Sequence, residues 1–321
     1  MSSTTELVRS MTIYGGIPIF ACGIIGNLLN IRFLWRTRRN PCAFIFLSSS
    51  IINCLVLFYG LFTRILSVGF NLDWSSNNLI WCKARIAFTQ ASFFMSLTCV
   101  CLASIDRFFA SCRDENYRRL SRLSYAICGV LLTCLFWLAH STCEFIYGVI
   151  VTNPITGLSV CSVVSPQEFT NYRMYVSLPI YLGVLPTLIL TISGFLTYRN
   201  INKLQGDRQR EIIQKQLTRM MLIQIPIILF STIPYIIYTE YAVFSATTPK
   251  TTEQRMIESI TSSVLTLLFY ISFASSFFVF FTSSKSFRHE AKLFFSCQKQ
   301  DPNGTNQIQP YSTAVIRNTH F

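Results

Sequence analysis

The chain has 321 residues, of which 51% are hydrophobic and 13% are charged, and its net charge is +13. A soluble domain has about 25% charged residues, so the composition excludes an ordinary soluble domain. It also excludes an intrinsically disordered chain, because that class is poor in aromatic residues and this chain contains 28 phenylalanines. The class that remains is an integral membrane protein with several spans.

Seven stretches of the chain are long and apolar enough to cross a membrane as helices. A transmembrane helix needs about 20 apolar residues, and windows without Asp, Glu, Lys or Arg occur at 10–31, 40–63, 86–105, 123–143, 174–198, 220–239 and 259–284. A further charge-free stretch, 145–167, contains Pro154, Gly157 and Pro166, and we interpret it as a loop. The sequence therefore predicts an all-α membrane protein that is a seven-transmembrane helix bundle.

The loops between the predicted spans differ in positive charge. Lys and Arg are frequent after spans one, three, five and seven, and the segments on the opposite side contain few. Because these residues are enriched in cytoplasmic loops, the bias predicts an extracellular N-terminus and a cytosolic C-terminus. It also explains the net charge without a nucleic-acid-binding surface, so nucleic acid is not an expected partner.

The chain divides into one large domain and two short ends. Residues 1–10 are expected to form a short extracellular N-terminus, and residues 11–297 the seven-transmembrane domain. Residues 298–321 are polar and are expected to form a disordered cytoplasmic tail.

A short amphipathic cytosolic helix is predicted after span seven, over residues 284–297. Phe287, Ala291 and Phe294 recur at spacings that place them on one helical face. Such a helix lies in the membrane interface and contacts lipid there. Cys297 at its end is a candidate for lipidation by palmitate, with an unmodified thiol as the alternative.

Span three ends in Asp106-Arg107-Phe108. Taken alone, an Asp–Arg pair at the end of a span is explained equally well as a solvated pair at the membrane surface. It is accompanied in the other spans and at their ends by Gly26-Asn27, Cys82, Trp137, Pro186, Pro234 and the run from Ser284 to Arg288. In this combination, over residues 11–297, the chain resembles the rhodopsin-like, or class A, G-protein-coupled receptors.

The resemblance is incomplete within spans two, five, six and seven. The family's aspartate of span two corresponds to Asn53, and the tyrosine expected in span five corresponds to Gly194. The usual motifs of spans six and seven read Ser231–Pro234 and Ser276–Phe280. The family's sodium site is therefore not carried over, since cation binding needs negative charge. Asn53, Ser96 and Ser276 are instead expected to meet in a hydrogen-bonded core.

The resemblance implies a plasma-membrane receptor that converts binding of an extracellular ligand into activation of a heterotrimeric G protein. Asp106, Arg107 and Phe108 are then the expected coupling residues, with Arg107 paired to Asp106 at rest and reaching the G protein when span six moves outward. The family's acid at the foot of span six corresponds to Gln214, with Glu211 about one turn earlier. Arrestin, through the tail, is a further expected partner.

One disulfide bond is expected. Among the cysteines in loops and at loop junctions, Cys82 and Cys161 lie clearly on the predicted extracellular side. Because disulfides form on the oxidising side of the membrane, these two are the preferred pair. Cys143, at the outer end of span four, is the near competitor.

The residue types in the outer halves of the spans indicate the class of ligand. Amine receptors of the family carry an aspartate where this chain has Thr89, so an amine is not expected. Side chains of both charges, together with polar and aromatic groups, are expected to line the ligand cleft: Arg64, Arg85, Thr89, Gln90, Glu144, Tyr147, Tyr235, Glu240, Thr266 and Tyr270. This mixture favours a short peptide, and the run before Arg288 resembles that of invertebrate neuropeptide receptors. The alternative for Arg64 and Arg85 is that they only extend toward lipid headgroups.

Other classes of function fit the sequence less well. The chain has no HExxH, GxSxG or P-loop motif, so no enzyme activity is expected. No metal or cofactor is expected either, since a retinal-binding member would need a lysine where this chain has Tyr270. A transporter or channel would carry ionisable residues near the bilayer midplane, and the span centres contain none. A seven-span scaffold that no longer couples is the third alternative.

Overall fold

The structure, a computed structural model, describes residues 3–152, 159–201, 208–245, 248–283 and 287–289. Among these residues, seven helical stretches are long and apolar enough to cross a membrane, and we call them spans one to seven. They cover Thr4–Thr37, Pro41–Gly69, Leu79–Ser111, Leu123–Tyr147, Gln167–Asn200, Lys215–Phe244 and Thr252–Ala274. The predicted seven-transmembrane helix bundle is confirmed.

The described residues contain ten α-helices. They are α1 (Ser3–Leu34), α2 (Pro41–Val56), α3 (Leu79–Ser111), α4 (Glu115–Arg118), α5 (Leu123–Tyr147), α6 (Gln167–Tyr172), α7 (Leu185–Ile201), α8 (Arg208–Phe244), α9 (Thr252–Ala274) and α10 (Ser276–Ser283). Eight of them belong to the spans, α4 lies between spans three and four, and α10 follows span seven. Several extend beyond the charge-free windows, because polar caps outside the apolar core stabilise their first turns. Asn78 begins α3, for example, by accepting a hydrogen bond from the Trp81 amide at 3.0 Å. Helix α1 begins at Ser3 and so includes most of residues 1–10.

Spans two and five contain wide, π-helical turns that the apolar pattern does not predict. In span two these turns cover Leu57–Phe62 and Ile65–Gly69, and in span five they cover Arg173–Val184. A π-helical turn adds a residue to the turn and therefore rotates the side chains that follow it around the helix axis. Arg64 lies between the two π-helical segments of span two.

The described residues of the stretch 145–167 form no further span, in agreement with the loop interpretation, but they include two paired β-strands that were not predicted. Strand β1 (Gly148–Thr152) pairs antiparallel with β2 (Ser159–Val163), and Ile150 lies opposite Cys161. Cys161 forms a disulfide with Cys82 in α3, with 5.7 Å between their Cα atoms. Cys143 is exposed and has a free thiol. The predicted Cys82–Cys161 pairing is confirmed, and the bond fixes the hairpin to α3.

Helix α3 lies inside the bundle and contacts spans two, four, five and six. Aromatic rings fill much of the space around it: Phe94 of α3 stacks on Trp137 of α5 with 4.4 Å between ring centroids. The Trp137 indole also donates a hydrogen bond to Thr98 Oγ1 at 3.0 Å. A central α3 allows a change at one end of the bundle to reach the other end along a single helix.

A short helix, α10, follows span seven after an interruption at Ser275. Of the predicted amphipathic helix at 284–297, residues 287–289 are described and are helical. Phe287 is buried there, and its ring packs edge-on against Phe33 at 5.1 Å. Cys297 and the tail at 298–321 lie outside the described residues.

Candidate functional site

The bundle has two ends, which we call the disulfide end, marked by Cys82–Cys161, and the opposite end. Arg107 lies in α3 near the opposite end and is 1% exposed. Its Nε donates to Asp106 Oδ2 at 3.2 Å, and its Nη2 donates to the same oxygen. The second oxygen, Oδ1, accepts a hydrogen bond from Ser121 Oγ at 2.7 Å. The Asp106 carboxylate is thus held on both sides, and it neutralises the Arg107 guanidinium directly.

The burial of Arg107 decides between the two interpretations of the Asp–Arg pair. A guanidinium away from water is costly unless it is paired, and a solvated surface pair would be exposed. The solvated-pair alternative is therefore wrong for Arg107. Phe108, the third predicted coupling residue, is half-buried, and its ring contacts that of Phe109 at 5.5 Å. The side chains of Glu211 and Gln214 lie outside the described part of the structure.

A hydrogen-bonded network joins spans one, two, three and seven, and Asn27 is its centre. Asn27 donates to the Phe273 carbonyl at 3.0 Å and accepts from Asn53 at 3.3 Å and from Ser276 at 3.1 Å. Ser96 donates to Asn53. The predicted core of Asn53, Ser96 and Ser276 is confirmed, with Asn27 as the additional member. Because these groups are amides and hydroxyls without a carboxylate, they do not fit a sodium ion.

Four of the predicted ligand-cleft residues form one group near the disulfide end, which we call the arginine–tyrosine cluster: Arg64, Arg85, Tyr235 and Tyr270. Arg64 and Arg85 both interact electrostatically with the Tyr270 phenol, and Arg64 also interacts with that of Tyr235. Tyr270 itself is buried, at 5% exposed. The cluster therefore brings together spans two, three, six and seven.

Local features of spans two and seven position this cluster. Arg64 Nη2 lies 3.4 Å from Ser263 Oγ of span seven. One turn before Arg64, Gly60 faces the Tyr270 hydroxyl, and a methyl group at Gly60 would overlap that oxygen. The missing side chain at Gly60 thus lets Tyr270 lie against span two, next to Arg64.

Aromatic rings lie beneath the cluster. Tyr235 stacks on Phe269 with 4.3 Å between centroids and 10° between ring planes. Phe93 of α3 packs edge-on against Phe269 at 4.9 Å. Phe93 and Phe269 were not among the residues predicted to line the cleft. Phe93 could have been found, because it lies one helical turn after Thr89, whereas Phe269 looks like any other apolar residue of span seven.

Two further predicted cleft residues lie beside the cluster, and Arg173, the ion-pair partner of one of them, also interacts electrostatically with Tyr235. Glu144 is 1% exposed, and one of its oxygens lies 3.0 Å from Arg173 Nε. Tyr147 packs on Phe169 with 5.1 Å between centroids. Arg173 was not among the predicted cleft residues, because an ion pair between distant segments has no signature in the sequence of either segment. The negative charge of Glu144 is thus already paired.

The remaining predicted cleft residues are half-buried near the cluster's elements: Thr89, Gln90, Glu240 and Thr266. Thr266 donates within its own helix, to the Ser262 carbonyl at 2.7 Å. One oxygen of Glu240 and the hydroxyl of Thr89 are buried without a hydrogen-bond partner. Among the described residues, no side-chain hydrogen bond joins these four to the cluster.

Most of the chain is similar to known proteins. The family model described as the seven-transmembrane receptor (rhodopsin family) matches residues 26–274. This range contains Arg107, the arginine–tyrosine cluster and the polar network except for Ser276. A curated relative, the G-protein coupled receptor homolog Q2/3L of sheeppox virus (strain KS-1), is 24% identical over 226 residues. That alignment covers 68% of this chain and 55% of the relative, so the chain spans about half the length of that protein.

Proposed function

Since this chain belongs to the rhodopsin family of seven-transmembrane receptors, we propose that it converts binding of an extracellular short peptide into activation of a heterotrimeric G protein. The disulfide end is then extracellular and the opposite end cytosolic, in the plasma membrane. Two independent observations support this orientation. Lys and Arg are concentrated in the loops of the opposite end, and the Cys82–Cys161 bond needs an oxidising compartment.

The buried Asp106–Arg107 pair is the observation that carries the coupling role. While Asp106 holds the guanidinium, the donors of Arg107 face the protein interior. Outward movement of span six would open a space beside α3, where Arg107 could donate instead to backbone carbonyls of an inserted G-protein helix. A ligand drives this change only by as much as its affinity differs between the two states.

The arginine–tyrosine cluster and the aromatic rings beneath it support a peptide ligand. Large rings supply apolar contact area, and the guanidinium groups supply directed hydrogen-bond donors. The resemblance to invertebrate neuropeptide receptors belongs to the same proposal, as does an interaction of arrestin with the cytoplasmic tail. The transporter alternative loses its support, because the matched family is one of receptors.

Substitution of Arg107 tests the coupling role. We expect Arg107→Ala to abolish nucleotide exchange on the G protein while the receptor still reaches the cell surface and binds ligand. Arg119→Ala is the matched control, because Arg119 also lies near the opposite end but forms an exposed pair with Glu115 at 3.0 Å, and such pairs contribute little. Full exchange by the Arg107 variant would refute the coupling role of Arg107. An absence of exchange by the wild-type receptor with any ligand would support a non-coupling scaffold.

The orientation has a separate test in glycosylation. The one Asn-x-Ser/Thr sequon of the chain is at 303–305, in the tail that we place in the cytosol. We therefore expect no N-linked glycan on the protein from its native cells, measured as an unchanged gel mobility after glycosidase treatment. A glycosidase-sensitive shift would contradict this orientation.

A further inference from the structure

Two arginines of the cluster carry charge that no acidic side chain neutralises. Within the described residues, the ion pairs of the disulfide end are Arg9–Glu6, Arg173–Glu144 and Lys250–Glu258. Neither Arg64 nor Arg85 is part of one. The nearby acids do not change this balance, because Glu144 is engaged by Arg173 and Glu240 pairs with neither arginine.

The hydrogen-bond donors of the two arginines are also incompletely used. The Nε atoms of Arg64 and Arg85 are both buried and lack a hydrogen-bond partner. The bond from Arg64 to Ser263 is long, at 3.4 Å. A buried donor without a partner is costly, and more so when it is charged. Both side chains are half-buried as a whole, and each presents one shielded, unsatisfied Nε donor.

The direction of these side chains argues against lipid headgroups as the missing partner. A headgroup contact requires the guanidinium to extend outward, away from the bundle. Here the protein itself covers the Nε atoms of both arginines, and Arg64 reaches across to Ser263 of span seven. The missing partner must approach from inside the ring of spans.

We propose that Arg64 and Arg85 together bind an acidic group of the ligand, a carboxylate. A planar guanidinium group can donate two parallel hydrogen bonds to a carboxylate. The attraction between the two charges is stronger in the low dielectric of a partly buried site than in water. The free hydroxyl of Thr89, one turn after Arg85, is a further donor on the same helix. The aromatic rings beneath would contact the apolar part of the ligand next to that carboxylate.

This assignment rests on the proposed receptor function and makes it more specific. The carboxylate could belong to a peptide, as its C-terminus or an acidic side chain, or to a fatty acid. The chemistry recognised by the arginines is the same in each case, and the two sources differ in the apolar group attached to the acid. Binding of small matched probes separates them.

The experiment measures thermal stabilisation of the purified full-length receptor in lipid nanodiscs, without G protein. The probes are two acid–amide pairs, N-acetylphenylalanine with its amide and octanoate with octanamide, titrated to millimolar concentrations. A bound probe raises the unfolding temperature according to its affinity. We expect the acids to stabilise more than their amides, with the larger effect from N-acetylphenylalanine if the ligand is a peptide and from octanoate if it is a fatty acid.

Variants then assign the effect to the two arginines. In Arg64→Gln/Arg85→Gln, we expect the affinity for the acid to fall by roughly 30-fold or more, to the level of the amide. Arg255→Gln is the matched control, since it removes one exposed charge at the disulfide end and should keep the preference for the acid. Arg64→Lys/Arg85→Lys keeps the charge but loses the paired donors, so its preference for the acid over the amide should be intermediate. This variant provides the test if the Gln variant does not fold.

The assignment would be overturned if the acids stabilised the receptor no more than their amides up to saturating concentrations. It would also be overturned if the Gln and Lys variants kept the wild-type preference for the acid. Because coupling takes no part in the measurement, these outcomes leave the proposed function standing. Conversely, a receptor that binds the acid through both arginines but never activates a G protein would refute the coupling role alone.

Discussion

Release of Arg107 should raise the basal activity of the receptor, and Asp106→Asn is the substitution that tests this. Asp106 accepts two hydrogen bonds from Arg107 and one from Ser121. Asparagine keeps the shape and one acceptor oxygen, but it removes the negative charge and one of the two acceptors. The resting state, in which Arg107 is buried beside residue 106, loses this stabilisation, whereas an open state in which Arg107 faces a G protein does not.

The size of the effect follows from these contacts. A hydrogen bond to a charged group contributes about 1.5–3 kcal/mol and a neutral one about 1 kcal/mol. The substitution should therefore destabilise the resting state by about 1–2 kcal/mol relative to the open state. That difference multiplies the ratio of open to resting receptor by roughly 5 to 30, so an open population of about 1% would rise to roughly 5–25%.

The assay is agonist-independent nucleotide exchange on purified G protein, normalised to the amount of receptor. Arg107→Ala provides the zero level. Ser121→Ala should give a smaller rise than Asp106→Asn, since it removes one hydrogen bond and leaves the charge in place. Basal exchange of Asp106→Asn at or below the wild-type level would show that the pair does not hold the resting state.

Two further changes test the packing of the disulfide end. Gly60→Ala should destabilise the receptor by about 1–3 kcal/mol, because the added methyl group overlaps the buried Tyr270 hydroxyl. Differential scanning fluorimetry would show this as a lower unfolding temperature. The control is Gly129→Ala, whose new Cβ would make an ordinary 3.5 Å contact and should not lower the unfolding temperature. Cys82→Ala and Cys161→Ala should each reduce surface expression or ligand binding, and the double variant should be no worse than either single one, because only one bond is lost; clearly additive losses would contradict a shared role.

The number of spans could be predicted from the sequence because the length of an apolar window is a direct requirement of the bilayer. The Asp106–Arg107 pair was equally accessible, since its partners are neighbours in the chain. The π-helical turns around Arg64 were not, because they depend on how span two packs and have no signature in composition. The β-hairpin did have a sequence signature: a β-branched run at 148–152, a Pro- and Gly-containing segment, and valines separated by small residues at 159–163.

The candidate cleft likewise contains some residues that could be predicted from the sequence and others that could not. Residue type and position identified Arg64, Arg85, Tyr235 and Tyr270, and the structure places them in one cluster. The role of Glu144 was different from the expected one, because its partner Arg173 comes from another span and its position depends on the tertiary fold. Charge pairing across a bundle therefore decides which of the predicted charges are left for a ligand.

The network around Asn27 has a consequence for the response of the receptor to membrane potential. Asn53 and Ser96 lie near the middle of the apolar windows 40–63 and 86–105, where the transmembrane field acts most directly. Moving one elementary charge across the membrane changes the energy by about 2.3 kcal/mol per 100 mV, enough to reset an equilibrium between two states. A network of amides and hydroxyls has no net charge to move. Depolarising the cell should therefore leave the equilibrium of this network unchanged, whereas an aspartate introduced at Asn53 would add voltage dependence to the extent that its charge moves between the two states.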